Sequence, residues 1–161
     1  MSIVQTGNPV LRQKAKAVPK KEIGALRSTL RRMHATLAKE EHGVALAAPQ
    51  IGVSKRLFII SEKVFADEDA PKQKHLVFIN PELVRLSRAK KEMSEGCLSV
   101  RGTYGIVERH EKATVHALDE HGLPFTYHGS GLIAQIFQHE IDHLNGILYT
   151  DKAEQFTYES E

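Results

Sequence analysis

The stretch Gly131-Leu132-Ile133-Ala134-Gln135-Ile136-Phe137-Gln138-His139-Glu140-Ile141-Asp142-His143-Leu144 decides how this chain folds. Ser130 precedes it as a candidate N-cap and Asn145-Gly146 follows as a helix stop, so the run reads as one helix. Its apolar residues, Leu132, Ile133, Ile136, Phe137, Ile141 and Leu144, are distributed all round that helix. A helix apolar on every side is buried, so His139, Glu140 and His143 are polar groups inside a core. His139 and His143 stand four residues apart on one face, with Cβ atoms roughly 5–6 Å apart. Two imidazoles so placed can grip one metal ion, and Glu140 reaches over its open side, where a water activated there needs a base. Left unpartnered, each such group costs on the order of a few kcal/mol, and a divalent metal gives all three a common partner. The competing reading is a chance motif in a chain with nine histidines, His139 and His143 bonding only to backbone. It explains less, because the motif lies on a capped helix with the glutamate in register.

Outward from this helix the chain reads as strands and one more helix. Ile23, Leu26, Leu30, Met33 and Leu37 recur at intervals of three and four, which predicts an amphipathic surface helix over 21–41, closed by His42-Gly43. Residues 56–60 and 75–79 read as strands, the second stopped by Asn80-Pro81, and 83–86 resumes extended structure. Segments 113–118 and 123–127 flank Asp119-Glu120-His121-Gly122, a hairpin signal. Residues 1–20 read as an extended lead-in, 43–52 as a tightly packed connector, 66–74 as a solvated loop and 151–161 as a polar tail with little order. Several strands around a central buried helix, without regular alternation of strand and helix, give an α+β fold with mostly antiparallel sheets. The 161 residues, 41% hydrophobic and 26% charged, fit a single domain over residues 1–161.

The formal charge of +2 arises from 22 basic and 20 acidic residues spread along the chain, which gives no electrostatic case for specific DNA binding or an anionic membrane. The opening Met1-Ser2-Ile3-Val4-Gln5 carries no export signal, and no apolar stretch approaches the ~20 residues that span a bilayer. Cys97 is the only cysteine, so an intramolecular disulfide is excluded and a reducing, cytoplasmic setting is expected.

The helix lacks a third protein ligand. The position six residues after His143 is Tyr149, a poor candidate, and the glutamates beyond lie in a short polar tail. The seven other histidines are scattered without paired spacing. Cys97 is left: a thiolate beside two imidazoles suits Zn2+ or Fe2+, and the neighbouring Gly96 lets backbone come close to the ion.

Three separated segments, 43–52, 95–99 and 139–143, together with the Asn8-Pro9-Val10-Leu11-Arg12 opening, resemble the signature motifs of the peptide deformylases. These hydrolases remove the N-terminal formyl group from N-formylmethionyl nascent polypeptides and release formate. The resemblance implies that Cys97, His139 and His143 ligate the metal and that Glu140 is the general acid and base. It implies further that the Gln50 amide and the Leu98 N–H hold the developing oxyanion. Val44, Ala45 and Gly96 would run beside the substrate backbone, with Leu132 and Ile136 lining an apolar pocket for a methionine side chain. It also implies one divalent metal, Fe2+ in the cell with Zn2+ or Ni2+ able to replace it, transient contact with the ribosome, and a monomer or weak oligomer.

Two positions depart from the family pattern. Ala45 stands where glycine is usual, so strain is expected if the backbone there is open only to glycine. Arg101 stands where proline is usual, next to the expected groove. Glu95 with Arg109 forms an expected structural ion pair, and Asp142 an expected partner behind the ligands. The alternatives to an active deformylase are a zinc endopeptidase with a third ligand other than Cys97, and a relative that binds metal or formylated peptide without turnover.

Overall fold

The computed structural model describes residues 2–66 and 75–160. The loop expected at 66–74 therefore lies, except for Ala66, outside the described residues. Strands β1 (Ala45–Ala47), β2 (Leu57–Ile60), β3 (Val77–Leu86), β4 (Lys90–Cys97), β5 (Val100–His110), β6 (Lys112–Leu118), β7 (Pro124–Ser130) and β8 (Glu154–Tyr158) form two antiparallel sheets. One sheet has the order β1-β2-β3-β6-β7 and the other β4-β5-β8. Helix α1 (Arg27–Ala38) precedes the strands and α2 (Gly131–Leu144) follows β7. This is the α+β class expected from the strand pattern.

The larger sheet is covered on both faces. β2 is buried along its whole length, and its alternation assigns the faces. Phe58 and Ile60 pack with Ile133, Ile136, Phe137 and Ile141 of α2, while Leu57 and Ile59 pack with Leu30, Met33 and Leu37 of α1. Phe58 and Phe78 stack with ring centroids 4.6 Å apart, and Phe137 closes on Phe78 at 5.3 Å. Burial of each such side chain contributes about 1.5–3 kcal/mol. Among the α2 residues buried by this packing are Gln138, His139, Glu140 and His143.

Several elements differ from the sequence expectation. The first helix is a 3-10 run, Lys20–Leu26, before α1 takes over, because Gly24 weakens α-helix propensity in that segment. Gly43 is not in the left-handed region; it is glycine because a Cβ there would lie 2.9 Å from Glu40 Cβ and 3.1 Å from Leu98 Cδ1. Asn80-Pro81 does not stop β3. Asn80 adopts φ 50 and the register shifts between Ile79 and Glu82, so the missing proline N–H falls in a bulge. The Asn80 amide is fixed by Val18, accepting from its N–H and donating to its carbonyl, each at 2.8 Å. The tail is ordered as β8 along β5. Ser130 occupies the N-cap of α2 without a side-chain hydrogen bond. Ala45 is extended within β1 and outside the left-handed region, so the strain expected there does not arise.

Gly146, after α2, does need to be glycine. Its φ is +75, and an added Cβ would sit 2.5 Å from the Arg12 carbonyl oxygen. Gly146→Ala should lower stability by about 2–5 kcal/mol, from left-handed strain plus backbone overlap; urea unfolding measures it, and an unchanged midpoint would contradict the overlap.

Candidate metal centre

Cys97 ends β4 where the hairpin to β5 turns, and α2 brings His139 and His143 up beneath it. One ligand atom from each residue falls within 4.8 Å of the other two. Sγ of Cys97 is 3.3 Å from His143 Nε2. His139 contacts Glu95 Oε1 through Nδ1 at 2.5 Å, which leaves Nε2 to face the cluster, 4.0 Å from Glu140 Oε1. The sequence thus supplied residues from two distant segments, and the fold joins them.

Behind His139 runs a chain of charged groups. Arg109 donates to both oxygens of Glu95, from Nη2 at 2.7 Å and Nε at 2.9 Å, and from Nη1 to Asp142 at 2.8 Å. Lys152 meets Asp142 at 3.0 Å. Burial works against the Glu95 carboxylate, but the hydrogen bonds from Arg109 and His139 outweigh it and its pKa falls to about 2. A carboxylate held ionised in this way fixes the ring and tautomer of the histidine in front of it. Sequence reading had Glu95 and Arg109 as scaffold; their register explains why more was not visible. Glu95 lies opposite Gly105, four positions along β5 from Arg109, so only long side chains on a shared face bring them together.

Glu140 is buried with Oε2 lacking any partner, and His143 Nδ1 is likewise unpartnered among the described residues. Burial raises Glu140 to about 7, with Glu95 adding to the rise and His139 opposing it. Burial also pushes His143 well below its ordinary value. An orphaned carboxylate oxygen beside a thiol and two imidazoles is costly in a protein core. The donor set, one soft thiolate and two neutral imidazoles, suits a divalent metal of the Fe2+ or Zn2+ type.

Gln50 lies opposite. Its Oε1 accepts from Ala47 N–H at 2.9 Å, so its amide group points the other way, to Ser99 Oγ at 3.1 Å and Cys97 Sγ at 3.6 Å. Leu98 is held through its carbonyl by Gln5 Nε2 at 2.9 Å. A cavity of about 580 Å³ opens over the cluster, and Val44, Ala45, Gly96, Leu98 and Ile136 all line it. Leu132 stands apart: it is 49% exposed and outside that lining, on the solvent side of the first turn of α2, whose Ile133 and Ala134 are buried. Ser99 and Tyr104 were not singled out from sequence. Ser99 is fully buried against Gln50, and the Tyr104 ring lies where a Gly96 Cβ would be, 2.7 Å away.

The sequence model of the polypeptide deformylase family matches residues 1–158. The chain belongs to this family. A peptide deformylase of Desulforudis audaxviator is 42% identical over 154 residues, covering 94% of this chain and 92% of the relative. Among solved structures, the Acinetobacter baumannii peptide deformylase bound to Met-Ala-Ser has a TM-score of 0.85 at 35% identity, covering 94% and 97% of the two chains. The Synechococcus elongatus deformylase in complex with actinonin has a TM-score of 0.82 at 41% identity, covering 96% and 79%. Deformylases are metal-dependent hydrolases, and this chain is one: an enzyme that removes the N-terminal formyl group from nascent polypeptides. Among the described residues, no helix is long and apolar enough to cross a membrane.

Proposed function

We propose that this chain carries out deformylation with Cys97, His139 and His143 holding one divalent metal, Glu140 moving the proton, and Gln50 with the Leu98 N–H receiving the oxyanion. The observation that carries the reading is the convergence of three ligand atoms within 4.8 Å beside a buried carboxylate whose Oε2 has no partner. When bound, the metal supplies a Lewis acid that activates water and polarises the formyl oxygen. Glu140 takes the proton of the attacking water and delivers it to the departing nitrogen. The new C–O bond forms first and leaves a tetrahedral carbon with an oxyanion; the C–N bond then breaks as the nitrogen takes its proton, giving formate and a free N-terminus. Because Ala47 pins the Gln50 carbonyl oxygen, its amide stays turned toward the cluster as a hydrogen-bond donor and needs no reorganisation when charge develops.

The Met-Ala-Ser held by the Acinetobacter relative supports an N-terminal methionine as the residue bound here. Val44, Ala45 and Gly96 would flank the peptide backbone, and Ile136, buried in the cavity wall, would contact the thioether. Leu132, exposed and outside the cavity lining, is left out of this pocket in our reading. The two cores share one sheet, which supports a single catalytic domain over residues 1–161. We read Fe2+ as the metal in the cell, with Zn2+ or Ni2+ as substitutes. The substrate emerges from the ribosome, so transient docking there by a cytoplasmic monomer or weak oligomer completes the reading.

Formate release from an N-formylmethionyl peptide by anaerobically Fe2+-loaded protein tests the assignment; cleavage of unformylated peptides instead, or no formate at all, would overturn it. Gln50→Ala should lower kcat by about 100- to 1,000-fold, the usual loss for one oxyanion donor, with metal content retained. Steady-state kinetics beside elemental analysis decides this, and an unaltered kcat removes Gln50 from the role.

A further inference from the structure

The cavity opens outward from the buried Glu140 to a rim formed by Glu40 and Arg101, whose side chains are 22% and 53% exposed. These two come from opposite walls. Glu40 precedes Gly43 and Val44, while Arg101 follows Cys97 and Leu98. Between the pairs Gly96↔Tyr104 and Cys97↔Val100, residues 101–103 have no partner in β4, so β5 bulges there. Gly102 takes φ +72 in the bulge. Its carbonyl accepts from Glu159 N–H at 2.8 Å, and the Thr103 carbonyl accepts from the Tyr149 hydroxyl at 2.6 Å. The bulge aims Arg101 across the cavity, where it meets Glu40 end-on, Nη1 to Oε2 at 3.2 Å and Nη2 to Oε1 at 2.9 Å. Glu40 is steadied in turn by Lys63, which donates to its backbone carbonyl at 2.9 Å.

A guanidinium has five N–H donors in a fixed fork, and this pairing engages two nitrogens from one side. The remaining donors belong to a half-exposed head at the rim. Glu40 therefore cancels the charge of Arg101 without exhausting its hydrogen bonds. A bare arginine at this place would favour acidic sequences and penalise basic ones. A neutralised one serves a main-chain carbonyl oxygen in any sequence, which is what an enzyme facing every nascent chain requires.

We propose that Arg101 binds main-chain carbonyl oxygens of the substrate beyond its N-terminal methionine, and that Glu40 is a positioning residue that makes this binding indifferent to substrate charge. This rests on the deformylase reading of the same cavity. The test compares wild type, Arg101→Ala, Glu40→Gln and Glu40→Asp on formyl-methionine amide, a short amide with no main-chain carbonyl beyond its methionine, and on longer formylated peptides with Asp or Lys at the third residue. Arg101→Ala should raise KM for the longer peptides by about 5-fold at about 0.5 M salt, the effect of one exposed hydrogen bond, leaving kcat and the short amide unchanged; at low salt the bared Glu40 should make the loss larger for the Asp peptide than for the Lys peptide. Glu40→Gln should move the Asp-over-Lys ratio of kcat/KM from near one to about 5-fold at low salt, the difference fading at about 0.5 M salt. Glu40→Asp should restore indifference. An unchanged ratio in Glu40→Gln, or equal losses on short and long substrates in Arg101→Ala, overturns the proposal. Absence of formate release by wild type on every substrate overturns the functional reading instead.

Discussion

Replacing Cys97 with alanine should release the metal and abolish formate release together. Sγ of Cys97 is the only sulfur in the cluster and lies 3.3 Å from His143 Nε2, so its removal leaves two imidazoles from one helix. Losing only a hydrogen-bond partner behind a ligand commonly costs about 10- to 100-fold in metal affinity, and loss of the ligand itself should exceed that. The variant should still fold, because Cys97 is half-buried at a hairpin end, away from the two apolar clusters that α1 and α2 make with the larger sheet. Elemental analysis after anaerobic Fe2+ loading, with far-UV circular dichroism as the folding control, gives the outcome. Full metal occupancy in a folded, inactive Cys97→Ala protein would sink the ligand assignment and leave Cys97 as a neighbour of Gln50 only.

That a cysteine far from the helix belongs with it was legible by elimination, since the residues beyond His143 offered no third ligand. The fold class was also legible, because the apolar residues of α2 surround it and the strand segments alternate or run wholly apolar. What escaped was set by pairing. The bulge of residues 101–103 arises from a register shift between β4 and β5, and no local pattern in Arg101-Gly102-Thr103 announces it. The same holds for β8, whose residues are exposed throughout and so carry no burial signal. Asn80-Pro81 misled for the opposite reason: a strong local stop was absorbed by a bulge whose cost Val18 offsets through two hydrogen bonds to Asn80. Family resemblance alone puts Leu132 in the pocket, and a resemblance carries a position on the helix without its exposure, here 49% and outside the cavity lining.

Glu140→Ala should lower kcat by about a thousandfold, within the range for loss of a general acid and base, while metal content stays at the wild-type level. Glu140 is outside the three residues whose ligand atoms converge, and its Oε1 is 4.0 Å from His139 Nε2. It should therefore matter for proton movement and not for holding the ion. KM for a formyl-methionyl peptide should change little, since Glu140 contributes no apolar wall. Glu140→Gln sharpens the test, because it keeps the volume and removes the ability to accept a proton. A structural role predicts that the amide, which can still donate and accept hydrogen bonds, preserves activity; a proton-transfer role predicts that Gln and Ala fail alike. Stability separates them again. A buried carboxylate oxygen without a partner is a cost the fold carries for function, so Glu140→Gln should unfold at the same urea concentration as wild type or higher. A variant that loses its metal, or that unfolds earlier in proportion to its lost activity, would make Glu140 part of the scaffold and leave the proton without a carrier in this site.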